Sequence, residues 1–292
     1  MTMADPAIAA IAPYAALLLG LIVGSFLNVV ILRLPDHMRA ELAEACADLQ
    51  DQPYEPAANR LFGLDFLIKP ASSCPKCGHG IRAWENIPVL SWLLLRGRCS
   101  SCKAAISVRY PIVEATTGLL SLLVVWHFGA TAAAAAALLL VWTLIALTVI
   151  DLDEQLLPDQ LTLPMVWLGL LVNINGTFTD LTSAVIGAVA GYLTLWLVFQ
   201  LFRLVTGREG MGYGDFKLLA VFGAFLGWQL LPLVILLSSL VGAVVGISLV
   251  VLRGRDRQIP IPFGPYLAVA GLIALVWGEQ INQGYLQLTG LA

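Results

Sequence analysis

The charges of this 292-residue chain are separated by long empty gaps, and those gaps constrain the fold more than any other feature. No Lys, Arg, Asp or Glu occurs at 6–32, 115–150, 160–179, 181–202, 218–252 or 258–278. A helix that crosses a bilayer needs about 20 predominantly apolar residues. The stretches 115–150 and 218–252 are too long for one helix. Each has a break of its own, His127-Phe128-Gly129 in the first and Gly227-Trp228 to Pro232 in the second. The pattern predicts spans at roughly 12–32, 112–128, 131–150, 161–176, 182–204, 215–231, 233–252 and 263–280. Apolar residues make up 59% of the chain and charged ones 12%. Soluble domains carry about 25% charged residues, so there is too little polar surface here to wrap a globule of this size. The expectation is an all-α polytopic membrane protein of about eight transmembrane helices. With a net charge of only −3, nucleic acid is not an expected partner.

The basic residues orient the spans. Segment 33–110 holds ten of the sixteen; Arg203, Arg208 and Lys217 flank the fifth connection, and Arg253, Arg255 and Arg257 the seventh. The 127–131 turn, the 173–181 loop, the 227–232 turn and both tails hold none. In an eight-span arrangement every basic residue falls on one side, which the positive-inside rule makes the cytoplasm. Both termini then face outward. Residues 1–11 carry no basic region, so a cleaved signal peptide is not expected.

Segment 33–110 is the one sizeable polar part. Residues 39–50 predict a short helix, and Pro53, Pro56, Pro70 and Pro75 punctuate the stretch after it. Its strong feature is Cys74-Pro-Lys-Cys77, then 21 residues, then Cys99-Ser-Ser-Cys102. Two close thiolate pairs suit a tetrahedral zinc site, each pair forming a knuckle turn, and Gly78 favours such a turn. Two disulfides or a redox dithiol are the competing readings, although disulfides fit a reducing cytoplasm poorly. With four protein ligands the zinc would staple the loop rather than activate water. Cys46 is read as a spare thiol in the 39–50 helix. No internal repeat is evident.

Two acidic places stand out beyond the loop. Asp151-Leu-Asp153-Glu154-Gln-Leu-Leu-Pro158-Asp159 holds four acids and no base at the cytoplasmic end of span three. Asp151 follows directly on an apolar run. Asp159 fits a helix N-cap, and Asp153 and Glu154 fit solvated positions. Gly210-Met-Gly212-Tyr-Gly214-Asp215 opens span six, with glycines at alternate positions. Alone, Asp215 fits an N-cap better than a catalytic group. The topology, however, puts Asp151 and Asp215 at similar depth on one face, and ionisable groups at membrane depth are expensive and functional by default. Two desolvated carboxylates brought together share a proton. One can then activate water while the other donates to a scissile carbonyl. The histidines offer no alternative triad. A proton-coupled transporter would need polar groups at mid-depth and on the outer side, and the spans are otherwise apolar. A pure scaffold with a zinc docking loop leaves the glycine-flanked Asp215 unexplained.

The motifs together resemble those of the bacterial prepilin leader peptidases, bifunctional membrane aspartyl proteases and N-methyltransferases. The resemblance rests on LLLGLIVGSFLNVVILRLP (17–35), CPKCGHGIRAWENIPVLSWLLLRGRCSSCKAAISVRYPIVE (74–114), DLDEQLLPDQLTLP (151–164), GMGYGDFKLL (210–219) and IPFGPYLA (261–268). It implies that Asp151 and Asp215 form the catalytic pair. It also implies cleavage of the basic leader of type IV prepilins and pilin-like secretion subunits at the cytoplasmic face of the bacterial inner membrane. Methylation of the new N-terminal amine by S-adenosylmethionine would follow. No Rossmann-type glycine fingerprint marks a methyl-donor site. A site built from the loop is inferred, with Glu85, Asn86 and Gly97 as candidates, though loop folding is an equal reading of these three. The implied domains are a first transmembrane helix (1–32), a cytoplasmic tetra-Cys loop domain (33–110) and a seven-helix peptidase core (111–292). The alternative is a peptidase alone, with the zinc loop docking substrate. The oligomeric state is left open.

Overall fold

A computed structural model describes residues 6–49, 65–253 and 261–289. Among them are eight long helices, one on each stretch the charge gaps mark out: α1 Pro6–Leu49, α2 Arg109–Phe128, α3 Ala132–Glu154, α4 Asp159–Val172, α5 Leu181–Thr206, α6 Tyr213–Leu226, α7 Leu231–Arg253 and α8 Gly264–Thr289. No strand occurs among the described residues, only two isolated β-bridges. Six of the helices, all but α4 and α6, are long and apolar enough to cross a membrane. Pro53, Pro56, Asp5, Arg255, Arg257 and the ends of both tails lie outside the described residues.

The breaks are where the residues demand them. Gly129 and Gly227 adopt φ +67° and +80°, which a side chain would strain, and each ends a helix. Thr131 caps α3 by accepting the Ala134 N–H, and Asp180 caps α5 by accepting the Ser183 N–H at 2.9 Å. One expectation is corrected. Residues 39–50 do not form a separate short helix, because α1 runs unbroken from the first span through Pro35 to Leu49. A proline removes a single backbone hydrogen bond, and the helix absorbs that loss here.

The chain forms two compact units, divided between Trp126 and His127. In the first, Gly20 and Gly24 of α1 lie directly on α2: a Cβ at Gly24 would sit 2.7 Å from the Glu114 Cα. Small residues spaced by four let two helix backbones approach this closely. Arg33, where the first span ends, donates to the carbonyls of Phe66 (3.0 Å) and Pro70 (2.7 Å) and so pins the short helix Asp65–Ile68.

The second unit is built around α6. Phe216, Leu218, Leu219, Phe222 and Phe225 are fully buried there, packed by α4, α5 and α8. Gly191 of α5 meets the Leu219 backbone, where a Cβ would lie 2.7 Å from a carbonyl oxygen. Asn173 is fully buried yet satisfied. Its amide donates to the Ala224 and Phe225 carbonyls at 2.9 Å, and its oxygen accepts the Phe178 and Thr179 N–H groups. It thereby closes the C-terminal end of α6, whose last carbonyls would otherwise be orphaned.

Candidate active site and cysteine centre

Asp151 lies in the last turn of α3. Gln155 then takes a left-handed conformation (φ +52°) and donates its N–H to the Asp151 carbonyl at 3.0 Å, ending the helix. The turn brings buried Leu157 and Pro158 back beneath Asp151, and α4 starts at Asp159. Asp215 is the third residue of α6. Gly212 is the N-cap of that helix, so Asp215 is not its cap, and its side chain is left to face the site. Both carboxylates are buried, at 5% and 6% exposure, in surroundings that are otherwise apolar.

Three close approaches hold this arrangement. The Gly264 N–H, at the start of α8, donates to Asp151 Oδ2 at 3.0 Å. A Cβ at Gly264 would lie 2.6 Å from that oxygen and 3.1 Å from Leu157. A Cβ at Gly214 would lie 2.6 Å from Leu157 on its other side. Leu157 therefore sits between the start of α6, which carries Asp215, and the start of α8, whose Gly264 bonds Asp151. Beside them, Lys217 Nζ reaches both oxygens of Asp159 at 2.6 and 2.7 Å. This corrects the expectation for Asp159. The N-cap of α4 is Pro158, and Asp159 is an ion-pair partner instead. Asp153 and Glu154 are exposed. Gly264 and Leu157 carried no ionisable signal; the FGPY and LLPD stretches were visible as motifs, but not as supports of a carboxylate.

The cysteine centre is in the first unit. The Sγ atoms of Cys74, Cys77, Cys99 and Cys102 lie within 4.8 Å of one another, and those of Cys74 and Cys102 are 3.8 Å apart. A tetrahedron of sulfurs about 2.3 Å from a zinc ion has edges of about 3.8 Å, so the four thiols could hold such an ion. They are free cysteines, not disulfides. Each pair forms the same turn. The Cys74 N–H donates to the His79 carbonyl and the Gly78 N–H to the Cys74 carbonyl, both at 2.9 Å; 25 residues on, Cys99 bonds to Ala104 and Lys103 to Cys99 at 2.8 and 3.1 Å. The β-bridges Ser73 to Gly80 and Arg98 to Ala105 keep the same offset. A short internal repeat is thus present that the sequence hides. Gly78 (φ +69°) and Lys103 (φ +58°) are its equivalent left-handed positions, one filled by glycine and the other not. The N–H groups of Lys76 and Cys77 bring the Cys74 thiol down to about 6. At Cys102 the Ala104 N–H pulls the same way, but the neighbouring sulfurs and burial outweigh it and push that thiol up to about 11. Sulfurs this crowded cannot all carry charge without a cation among them.

A cavity of about 550 Å³ opens beside the knuckles, walled by α1, the loop and the start of α2. Glu85 and Asn86 line it. The Glu85 carboxylate accepts the Arg82 N–H at 2.8 Å, and that bond, with Ser100 and His79, holds it below the usual carboxylate range. Ser25 of α1 donates to Asn86 Oδ1 at 3.3 Å. Gly97 stands apart from this wall. It opens the second knuckle with φ +66°, its carbonyl accepts the Ile106 N–H at 2.7 Å, and the Trp92 ring lies where a side chain would be. Glu114, in α2, is a buried carboxylate on the same cavity that sequence reasoning did not single out.

Comparison with known proteins covers nearly the whole chain. The model described as Bacterial Peptidase A24 N-terminal domain matches residues 18–128, and that described as Type IV leader peptidase family matches 138–247. The prepilin leader peptidase/N-methyltransferase of Pseudomonas aeruginosa is 59% identical over 278 residues, 94% of this chain and 93% of the relative. The protein of the same name from Stutzerimonas stutzeri is 58% identical over 277 residues, 94% of each chain. That from Legionella pneumophila is 47% identical over 269 residues, 92% of each. No solved structure matches.

Proposed function

The chain belongs to the type IV leader peptidase family, and we propose that Asp151 and Asp215 are the catalytic pair with which it removes prepilin leaders. It is a membrane aspartic peptidase and an N-methyltransferase: it cleaves the leader of a prepilin and methylates the N-terminus that cleavage exposes. The observation that carries the assignment is the joint burial of Asp151 and Asp215, the ionisable groups buried in their unit among the described residues. Two carboxylates so placed share one proton. The unprotonated one takes a proton from water as it attacks the scissile carbonyl, and the other donates to the carbonyl oxygen. We assign Asp151 the water-activating role, because the Gly264 N–H already aligns its Oδ2. No covalent intermediate is needed.

The substrate class fits the placement. A prepilin carries a basic leader ahead of an apolar helix, and the positive-inside rule keeps such a leader in the cytoplasm. We therefore place the site at the cytoplasmic face of the inner membrane, with both termini on the periplasmic side. Pilin-like secretion subunits, which share that leader design, are further substrates. The four cysteines would hold zinc as a closed structural site, with no position left for water. S-adenosylmethionine supplies the methyl group. We assign that half of the chemistry to the part of the chain before residue 111.

Replacing Asp151 or Asp215 by Asn in the purified full-length protein tests the pair. Each variant should lose leader cleavage and still methylate a pre-cleaved pilin, both read by mass spectrometry. Cleavage at the unaltered rate by either variant would remove that aspartate from the mechanism.

A further inference from the structure

The leader-cleavage chemistry leaves one buried titratable group unused. Glu114 is 8% exposed, at the start of α2, and no cation pairs with it among the described residues. A buried carboxylate without a counter-ion is expensive to keep. Its partner is neutral: the Val89 N–H donates to Oε2 at 2.7 Å. Val89 holds a left-handed conformation (φ +59°), uncommon for a β-branched residue, in making that bond. Loop and helix are thus shaped around a carboxylate that faces the cavity instead of a cation.

The cavity has the size and lining of a small-molecule site. Such sites run from about 300 to 1,000 Å³ and combine apolar walls with a few placed polar groups. Here Asn28, Glu85, Asn86 and Glu114 share the lining with Arg33, Lys76 and His79, and Trp92 supplies an aromatic wall. Trp92 is fixed by its Nε1–H, which donates to the Ile106 carbonyl at 3.2 Å. Asn28 is fixed by its amide, which donates to the Tyr110 carbonyl at 3.2 Å. Arg33 is taken up by the carbonyls of Phe66, Leu67 and Pro70, and Glu85 by the Arg82 N–H, whereas Glu114 has no cation beside it among the described residues, so a ligand that places a positive charge there fits the wall.

We propose that this cavity binds the methyl donor, and that Glu114 is the group that recognises its positively charged sulfonium. The inference rests on the methyltransferase reading above and adds to it a place and a residue. The site is built jointly by α1, α2 and the loop, not by the loop alone. A sulfonium donor is a nucleoside carrying a fixed cation, which a desolvated carboxylate selects and a neutral thioether does not offer.

The test compares S-adenosylmethionine with S-adenosylhomocysteine, its uncharged-sulfur counterpart, in equilibrium binding to the purified full-length protein. The unaltered protein should prefer the sulfonium. Glu114→Gln should shrink that preference by about tenfold, the scale of one charge-assisted bond. Misfolding would weaken both ligands alike and leave the preference where it was. Ultraviolet cross-linking of labelled S-adenosylmethionine to the unaltered protein gives a second readout, with label expected in peptides bearing Trp92 or Tyr110. An unchanged preference in a Glu114→Gln protein that still binds S-adenosylhomocysteine as tightly as the unaltered protein, or label confined to residues 127–292, would overturn the proposal. If the unaltered protein still methylates a pilin in that case, the methyltransferase reading stands and only the site is wrong. Absence of both donor binding and methyl transfer would end both.

Discussion

The residue that most narrowly controls the aspartate pair is Gly264, which carries no charge. Its N–H fixes Asp151 Oδ2, and the position its Cβ would take lies 2.6 Å from the same oxygen. Gly264→Ala must therefore move the carboxylate, Leu157 or the start of α8. A misplacement of about 1 Å can reduce a rate 10²-fold, so leader cleavage should fall by about that factor through kcat, with KM little changed. Methylation of a pre-cleaved pilin is the control and should persist. Cleavage at the original rate would mean that Gly264 does not position Asp151. At the far end of α6, Asn173→Ala leaves two buried carbonyls and two N–H groups without their partner. A loss of about 1–3 kcal/mol is expected from such orphaned groups, measurable by thermal unfolding in detergent. Asp151 and Asp215 were legible because a charge in an apolar run is conspicuous. Gly264 and Asn173 were not, because their work is done by backbone geometry and by partners about 50 to 110 residues away.

At the scale of elements, the shared side of the basic residues and the charge gaps were enough to place every long helix. The gaps could not show helix length. At 1.5 Å per residue, the 14 residues of α4 and of α6 extend about 21 Å, short of a hydrocarbon core of about 30 Å. α4 continues into a single 3₁₀ turn, Asn173–Asn175, which lengthens its rigid segment, whereas Gly227 ends α6 and the turn Trp228–Leu230 leads into α7. α6 is almost entirely buried inside its unit, where neighbouring protein replaces lipid, whereas α4 buries only Thr162 and Gly169 and packs on α6 by one side. Reporter fusions test whether α4 still crosses. An alkaline phosphatase joined after Thr177 should be active outside the cytoplasm, and one joined after Gly207 inactive. The reverse pattern would break the eight-span parity. The Asp159–Lys217 pair ties the start of α4 to the first turns of α6. It is partly exposed, at 49% and 26%, and such pairs contribute roughly 0–1 kcal/mol to stability. Its effect should fall on cleavage instead. Asp159→Asn and Lys217→Gln should each slow it several-fold, and the double variant no more than either alone. Losses that multiply would show that the two residues act independently.

At the scale of the whole molecule, the chain forms two compact units, and the sequence divides in the same way. One family model ends at residue 128 and the other starts at 138, while the units part after Trp126. The cysteine spacing announced the first unit. Its cavity stayed hidden, because Ser25, Glu85 and Glu114 come from a helix, a loop and a second helix that only the knuckles and the close approach of α1 to α2 bring together. Cys74, Cys99 and Ser100 lie on the same cavity wall. The knuckle turns are held by only a few backbone bonds, so a bound ion would supply much of the free energy that shapes that wall. The aspartates, Leu157 and Gly264 all belong to the other unit and use none of these residues. Stripping the metal with a strong chelator should therefore abolish methylation and S-adenosylmethionine binding together while leader cleavage continues. Adding zinc back should restore both lost properties at once. Loss of cleavage in parallel with methylation would show instead that the cysteine centre supports the peptidase as well, and that the two units do not divide the chemistry.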